Sequence, residues 1–116
     1  MLPKELRLSR SEFPQLLSNG LRFNSKSLLL YIVKNNENLA NNKSKFSFSI
    51  SKKIALKATL RNKYRRRGYS AINKHLKQIK GGYKMFFVYK KNSIPLDYNK
   101  LESEIVGLLG DSGVLI

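Results

Sequence analysis

The chain has 116 residues, and its 23 Lys and Arg against 7 Asp and Glu give a formal net charge of +16 at pH 7. That length supports one hydrophobic core, so we expect a single domain over residues 1–116. The chain has no cysteine, which excludes disulfide frameworks and thiolate metal sites. Its apolar runs are far shorter than the ~20 residues of a membrane helix, and charges interrupt the N-terminus too often for a signal peptide. We therefore expect a cytoplasmic protein.

The positive charge indicates a polyanionic partner. A field of this sign and size attracts nucleic acid in the first place. An anionic membrane surface is the rival, but it requires a spare amphipathic helix with large apolar residues opposite its charges, and none is evident. Four of the seven acids lie from Asp97 onward, so the nucleic-acid site is expected in the first four-fifths of the chain.

Residues 9–20 predict a short first helix. Ser9 or Ser11 can cap its start, Glu12 suits its first turn, and Gly20 can supply a left-handed stop. Three apolar side chains share one face of this helix: Phe13, Leu16 and Leu17.

Strands are predicted next, over residues 21–34 and 46–51. The apolar run 28–33 is typical of a strand covered on both faces, whereas residues 35–45 form a polar segment that we interpret as a mobile loop. In 46–51, alternation places Phe46, Phe48 and Ile50 on one face and three serines on the other. The serine face is either an open groove or a plain exposed face.

A long helix is predicted over residues 58–80. Its buried stripe contains Leu60, Tyr64, Gly68, Ala71, Ile72, His75, Leu76 and Ile79, and its opposite side contains Lys63, Arg66, Arg67, Lys74 and Lys77. Because glycine costs about 1 kcal/mol in a helix relative to alanine, Gly68 on the buried stripe indicates close approach to the sheet. We expect the basic side to face outward.

The rest of the chain predicts one more strand and one more helix. Residues 83–90 form the strand, and Pro95 and Asp97 open a helix whose core positions are Leu101, Ile105 and Leu108. Residues 110–116 are interpreted as a frayed tail. The resulting order predicts an α+β fold, a two-layer α/β sandwich with about four strands and three helices.

No catalytic residue is predicted. The single histidine, His75, lies at the apolar edge of the long helix and is interpreted as structural. The acids form no constellation that resembles a carboxylate pair or a metal site.

The densest basic segment spans residues 51–67. It contains eight of the 23 basic residues and no acid, so it lacks the i+4 partners of an ordinary solvated helix face. Arginine forks bind phosphate oxygens, and neutralised phosphates release counterions. The segment is predicted to bind nucleic acid, while charge alone leaves the kind of nucleic acid open.

The sequence resembles the protein subunit of bacterial ribonuclease P. Three parts carry the resemblance: Met1-Leu2-Pro3-Lys4 with Arg7 ahead of a helix that contains Phe13 and ends at Gly20, a strand that ends in Leu30-Tyr31, and Ser49-Ile50-Ser51-Lys52-Lys53 followed by Arg61-Asn62-Lys63-Tyr64-Arg65-Arg66. The resemblance covers essentially the whole chain. It implies a left-handed crossover between the third strand and the fourth, an exception to the usual preference.

The resemblance also implies function. The protein would assist 5′ maturation of precursor tRNA as an accessory subunit of an endoribonuclease, with the catalytic site and its magnesium ions in the RNA subunit. Its partners would be ribonuclease P RNA and precursor tRNA, with no membrane and no obligate protein partner. A basic ribosomal or structural-RNA-binding protein is the alternative from composition, and a DNA-binding module would need a recognition helix free to enter a groove.

The resemblance assigns two groups of residues. The RNA-binding signature falls on Lys52, Lys53, Lys57, Arg61, Asn62, Lys63, Arg65, Arg66 and Arg67. The cleft for the single-stranded leader falls on Phe13, Leu17, Leu29 and Tyr31, with the small Ser47 and Ser49 beside them. The chain differs from the family pattern at Leu17, Lys63, Tyr64 and Tyr69.

Overall fold

The computed structural model of the protein describes residues 3–34, 43–91 and 93–116. Three α-helices and four strands follow the order α1 Phe13–Asn19, β1 Leu21–Asn24, β2 Leu28–Lys34, β3 Lys45–Ser49, α2 Ala58–Lys74, β4 Tyr83–Tyr89 and α3 Tyr98–Asp111. Short 3-10 turns occur at Lys4–Leu6, Arg10–Glu12 and Leu76–Gln78. Most of the predicted mobile loop, residues 35–42, lies outside the described residues.

The four strands form one mixed sheet in the order β1-β2-β4-β3. β2 pairs antiparallel with β1 and β4, whereas β3 and β4 run parallel and are joined through α2. The predicted α+β fold with three helices and four strands is confirmed. The left hand of the crossover from β3 to β4 stays a prediction from the resemblance.

One face of the sheet carries the core. Alternate strand residues point to α2 and α3 and are buried: Leu28, Leu30, Ile32, Phe46, Phe48, Met85, Phe87 and Tyr89. The predicted inward face of β3 is therefore confirmed. The prediction that β2 is covered on both faces is wrong, because Leu29, Tyr31 and Val33 on its other face are only half-buried. Helix α1 is short and covers that face only in part.

The N-terminal segment covers the outer edge of the sheet. Arg7 pairs with Phe46 in a parallel bridge, and the Leu8 amide donates to the Phe46 carbonyl at 3.1 Å. Further along the same edge, the Phe48 amide donates to the Tyr69 hydroxyl at 3.3 Å. These contacts satisfy edge groups that would otherwise be open to pairing with another chain.

Buried tyrosines tie α2 to its surroundings. The Tyr64 hydroxyl accepts a hydrogen bond from the Leu96 amide at 3.2 Å, and the Tyr89 hydroxyl donates to the Tyr64 carbonyl at 2.7 Å. Burial raises the pKa of Tyr89, so its phenol stays a donor. Tyr64 and Tyr69, two positions that differ from the family pattern, are therefore core residues.

The ends of two helices differ from prediction. Helix α2 stops at Lys74, where His75 leaves helical geometry and a 3-10 turn follows, so the predicted helix to residue 80 is too long. Gly20 is not left-handed: its φ is −73°, and a Cβ there would clash with the Leu16 carbonyl oxygen. Glycine is needed at position 20 for close approach to the helix end rather than for a positive φ.

The expected frayed tail at 110–116 is wrong. Helix α3 continues to Asp111, Val114 is fully buried, and Leu115 forms a bridge with Ile79. The Lys80 amide donates to the Val114 carbonyl at 2.7 Å, and the Ile116 amide donates to the Gln78 carbonyl at 2.8 Å. The tail returns to the segment after α2, a long-range pairing that local polarity does not reveal.

Candidate nucleic-acid interface

The basic segment begins as an exposed turn after β3. The amides of Ile54 and Ala55 both donate to the Ser51 carbonyl at 3.1 Å, which closes the turn. The side chains of Lys52, Lys53 and Lys57 project from it and are exposed.

Arg61 braces this turn from the first part of α2. Its Nη1 donates to the carbonyl oxygens of Ala55 at 2.9 Å and of Leu56 at 2.8 Å. A guanidinium has five donors, so these bonds leave others for an external phosphate. Arg61 therefore has a structural role that the signature pattern did not indicate.

The next turn of α2 presents the exposed part of the signature. Asn62, Lys63 and Arg66 are exposed, and the half-buried Arg65 donates to the Asn62 side-chain oxygen. A cleft of about 400 Å³ runs between this helix face and the N-terminal segment; it is lined by Arg7, Asn62, Arg65, Arg66 and Tyr69. The edge of β3 thus borders a basic cleft.

Two residues of the predicted outward basic side have internal partners. Arg67 lies over the Tyr64 ring at 5.6 Å and donates to the Leu96 carbonyl at 3.3 Å. Lys74 pairs with Glu102 of α3 at 3.1 Å. The predicted outward orientation holds for the exposed Lys63, Arg66, Lys74 and Lys77, whereas Arg67 is half-buried against the segment before α3.

No carboxylate in the described part of the chain pairs with the remaining basic residues of the segment. Residues 38–96 contain no Asp or Glu, so no acid lies near the segment in sequence. In the described part of the chain, the ion pairs involve Lys45, Lys84, Lys74 and His75, and none reaches a basic residue of 51–67. A surface of this kind binds phosphates with a steep dependence on salt.

A second surface lies on the sheet face opposite α2 and α3, here called the outer face. Strand alternation and register place these residues on it: Arg22, Asn24, Leu29, Tyr31, Val33, Lys45, Ser47, Ser49, Lys84, Phe86 and Val88. Leu29, Tyr31, Ser47 and Ser49, which were predicted for the leader cleft, are thus brought onto one face. All four are half-buried.

Aromatic rings occupy the middle of the outer face. The Phe86 ring meets Phe13 of α1 edge-on, with centroids 4.8 Å apart, and stacks beside Tyr31 at 6.1 Å with an interplanar angle of 25°. Ser47 is the register partner of Phe86 on its other side, which leaves space next to the ring. These half-buried rings provide faces on which unpaired bases can stack.

Sequence reasoning missed Phe86 and misjudged Leu17. The burial of Met85, Phe87 and Tyr89 assigns Phe86 to the outer face, whereas the continuous apolar run of β4 has no alternation in sequence from which to predict it. Leu16 is fully buried, whereas Leu17 is 54% exposed, so the two do not share the buried face as predicted. Leu17 is therefore open to solvent on α1.

Glu12 fixes the start of α1 over one end of the outer face. Its carboxylate lies 3.2 Å from the Lys45 ammonium and 3.5 Å from that of Lys84, and it accepts from the Ser9 amide at 2.7 Å. Burial by itself raises the pKa of Glu12, but the Ser9 amide and Lys45 outweigh it and lower the pKa below its usual value. The two lysines are therefore both engaged by one carboxylate.

The sequence as a whole matches proteins of known family. The family model for ribonuclease P matches residues 2–112. A ribonuclease P protein component from Clostridium botulinum (strain 657 / Type Ba4) is 31% identical over 113 residues, which cover 96% of this chain and 97% of the relative. The chain belongs to the ribonuclease P protein family.

Other members of the ribonuclease P protein family agree in sequence and in fold. The component from Synechocystis is 28% identical and covers 98% of this chain and 90% of its own. The Staphylococcus aureus protein superposes with a TM-score of 0.83 at 18% identity, over 96% of this chain and 98% of its own. The Thermotoga maritima protein has a TM-score of 0.79 at 20% identity, over 90% and 96%.

Membership in the ribonuclease P protein family settles the class of function. The chain is an accessory protein component of an endoribonuclease ribonucleoprotein that acts in tRNA 5′ processing, and catalysis is carried out by the RNA subunit. The alternatives of a ribosomal protein and a DNA-binding module are thereby excluded. An RNA partner follows from the same membership.

His75 has the environment of a structural residue. Its Nδ1 lies 3.1 Å from the Gln78 side-chain oxygen, and its Nε2 lies 3.7 Å from Glu102, which connects the end of α2 with α3.

Within residues 3–34, 43–91 and 93–116, no three His, Cys, Asp or Glu side chains are grouped to hold a metal ion. The helices described there are too short or too polar to cross a membrane.

Proposed function

We propose that the protein binds ribonuclease P RNA through the basic segment 51–67 and holds the single-stranded leader of precursor tRNA on the outer face. The observation that carries this proposal is the position of the two surfaces on either side of β3. One is cationic without carboxylate partners among the described residues, and the other has neighbouring aromatic rings. Rigid phosphate docking and base stacking can then occur at the same time.

The docking surface is formed mainly by the exposed residues of the signature. Lys52, Lys53 and Lys57 extend from the turn, and Lys63 and Arg66 from α2, all exposed. Arg61 and Arg65 contribute from braced positions, since each keeps donors free beyond its internal bonds. Asn62 orients Arg65, and Arg67 packs on Tyr64 and contributes long-range charge.

The leader surface consists of Phe13, Tyr31 and Phe86 with Leu17, Leu29, Ser47 and Ser49 around them. Half-buried rings are fixed by their neighbours, so little conformational entropy is lost when a base stacks on them. Small serines beside the rings leave room for a backbone to pass. Sequence-tolerant stacking suits a leader that varies between tRNA precursors.

The magnesium ions implied by the family resemblance are assigned to the RNA partner. The described residues offer no cluster of acidic or imidazole ligands, and the exposed surface is strongly cationic, so this part of the chain does not fit a magnesium site. The complex is placed in the cytoplasm, where its RNA partners are made.

The two surfaces can be tested separately in the complex reconstituted with ribonuclease P RNA. Tyr31→Ala is expected to reduce affinity for precursor tRNA by about tenfold without changing affinity for mature tRNA, because only the precursor has a leader to stack. Arg66→Gln is expected to weaken binding of ribonuclease P RNA while the ratio of precursor to mature affinity stays unchanged.

Leu21→Ala is a matched control for the stacking variant. Leu21 is 67% exposed on the edge strand β1, but strand alternation places it on the sheet face opposite the outer face. Its truncation should therefore change neither affinity. If Tyr31→Ala lowered both tRNA affinities equally, Tyr31 would not contact the leader. If Arg66→Gln left the salt dependence of RNA binding unchanged, a phosphate contact by Arg66 would be excluded.

A further inference from the structure

We propose that Arg22 binds a phosphate of the single-stranded leader at the β1 edge of the outer face. This inference rests on the proposed function and adds a residue outside both groups that the resemblance assigned. Arg22 lies on β1, in the strand pair with β2, and its register partner is Tyr31. The same rung continues through Phe86 to Ser47, so one line across the sheet carries a cation, two rings and a small hydroxyl.

Arg22 lies on the uncovered part of the outer face. Helix α1 packs against β2 and β4 and makes no contact with β1 among the described elements. Arg22 is exposed, and its Cβ lies within about 5.5 Å of the Tyr31 Cβ, as in any cross-strand pair. A base stacked at Tyr31 therefore has its own or the next phosphate within reach of this guanidinium.

Three other cations on or next to the outer face are already engaged. Lys45 and Lys84 share the carboxylate of Glu12, at 3.2 and 3.5 Å. Lys90, just beyond β4, donates to the Ser25 carbonyl at 2.7 Å. In the described ranges, no carboxylate lies within ion-pair distance of Arg22, so its charge is available to a ligand.

This distribution gives the outer face an electrostatic direction. At the end that α1 covers, Lys45 and Lys84 are engaged by Glu12, whereas at the β1 edge Arg22 has no carboxylate partner among the described residues. Arginine presents a planar fork that matches two phosphate oxygens, which a lysine at the same place would not do. A leader strand crossing the rings is therefore fixed at the β1 edge.

The test uses the protein in its reconstituted complex with ribonuclease P RNA, and precursor and mature tRNA as ligands. Arg22→Gln is expected to lower affinity for precursor tRNA about three- to tenfold at low salt, to leave mature tRNA unchanged, and to flatten the salt slope by about 0.7. Arg22→Lys should recover only part of the affinity, since it keeps the charge and loses the fork.

Lys34→Gln is the matched control. Lys34 is an exposed cation on the neighbouring strand β2, but strand alternation places it on the opposite face of the sheet. A loss equal to that of Arg22→Gln would show that only the general positive field matters and would overturn the proposal. Thermal unfolding of both variants should match the wild type, because both side chains are exposed.

Leaders with single uncharged methylphosphonate linkages identify the contact. At one position, the uncharged linkage should lower the affinity of the wild type for the precursor but should not lower the affinity of Arg22→Gln any further. If every modified linkage lowered affinity equally in both proteins, a phosphate contact by Arg22 would be overturned. Tyr31→Ala separates the two proposals. If Tyr31→Ala loses precursor preference while Arg22→Gln retains it, only the inference on Arg22 fails; if both retain it, the leader surface itself fails.

Discussion

Gly68 of α2 lies against the ring of Phe48 in β3 so closely that a Cβ on Gly68 would be 2.5 Å from the ring atoms Cδ2 and Cε2. The Phe48 ring cannot move aside, because it is stacked on Phe87 with centroids 4.6 Å apart and meets the edge of Tyr69 at 5.2 Å. This contact sets the distance between α2 and the sheet. It thereby sets the position of the basic residues on α2 relative to the edge of β3.

Gly68→Ala should destabilise the protein by about 1–3 kcal/mol, since the steric cost of overpacking exceeds the gain of about 1 kcal/mol in helix propensity. Urea unfolding measures the change. Gly107→Ala in α3 is the control, because a Cβ there meets nothing within 4 Å and should stabilise the protein slightly. Equal stabilisation by both substitutions would show that α2 can shift from the sheet without cost.

Arg61 and Arg66 should respond differently to substitution, although both belong to the signature. Arg61→Gln removes the two bonds to the Ala55 and Leu56 carbonyls, so amide exchange at Ile54 and Ala55 should accelerate along with weaker RNA binding. Arg66→Gln should flatten the salt slope by about 0.7–0.9 and leave those amides unchanged. Unchanged exchange in Arg61→Gln would contradict its role as a brace.

Glu104 should make stability depend on pH in the acid range. Its Oε1 accepts from the Ser25 hydroxyl at 2.5 Å and from the Ser27 amide at 2.7 Å. Burial alone raises the pKa of Glu104, yet these bonds lower it below its usual value of 4.5. A lowered pKa means that the stabilisation is present above the unfolded pKa and is lost as pH falls through the folded one.

Glu104→Gln should therefore cost about 1–3 kcal/mol at pH 7, and the difference from wild type should shrink below pH 4.5. Urea unfolding from pH 2 to 7 measures it. Asp111→Asn, an exposed acid on the same helix, should change the free energy of unfolding by less than about 0.5 kcal/mol. A difference that stays constant down to pH 2 would contradict the assignment.

The C-terminal segment should contribute to stability. Val114→Ala is expected to cost about 1–3 kcal/mol, because the side chain is fully buried and its removal leaves a cavity. Ile116→Ala should be nearly neutral, since that side chain is 85% exposed. Thermal unfolding distinguishes the two variants. If both substitutions were neutral, the C-terminal segment would be frayed, as the sequence predicted.

Much of the fold was predictable because local periodicity reports burial directly. The alternation of Phe46, Phe48 and Ile50 identified their shared face, and Gly68 on an apolar stripe indicated a close helix-to-sheet contact. Asp97 was predicted at the start of α3, where its carboxylate accepts from the Lys100 amide at 3.1 Å. Each of these signals depends on residues within two turns or one strand.

The candidate site was predictable only in part. Its residue types came from the resemblance and from charge density, but Phe86 was missing because both registers of an apolar strand look alike in sequence. Arg61 and Arg67 looked the same as Arg66 in a basic run. Their internal partners are the carbonyls of residues 55, 56 and 96, which only the folded chain brings near.

The sequence by itself determined the class of the protein: a small basic α+β domain with an acid-free cationic segment and no catalytic constellation, because composition and periodicity are local properties. Tertiary structure alone decided which basic side chains lack internal partners, which aromatic rings are in contact, and where the C-terminal segment packs. Phe13, Tyr31 and Phe86 come from α1, β2 and β4, and Glu12 pairs with Lys45 and Lys84, which are distant in sequence. Long-range strand pairing and helix packing set these contacts, and a linear pattern does not encode their partners in readable form.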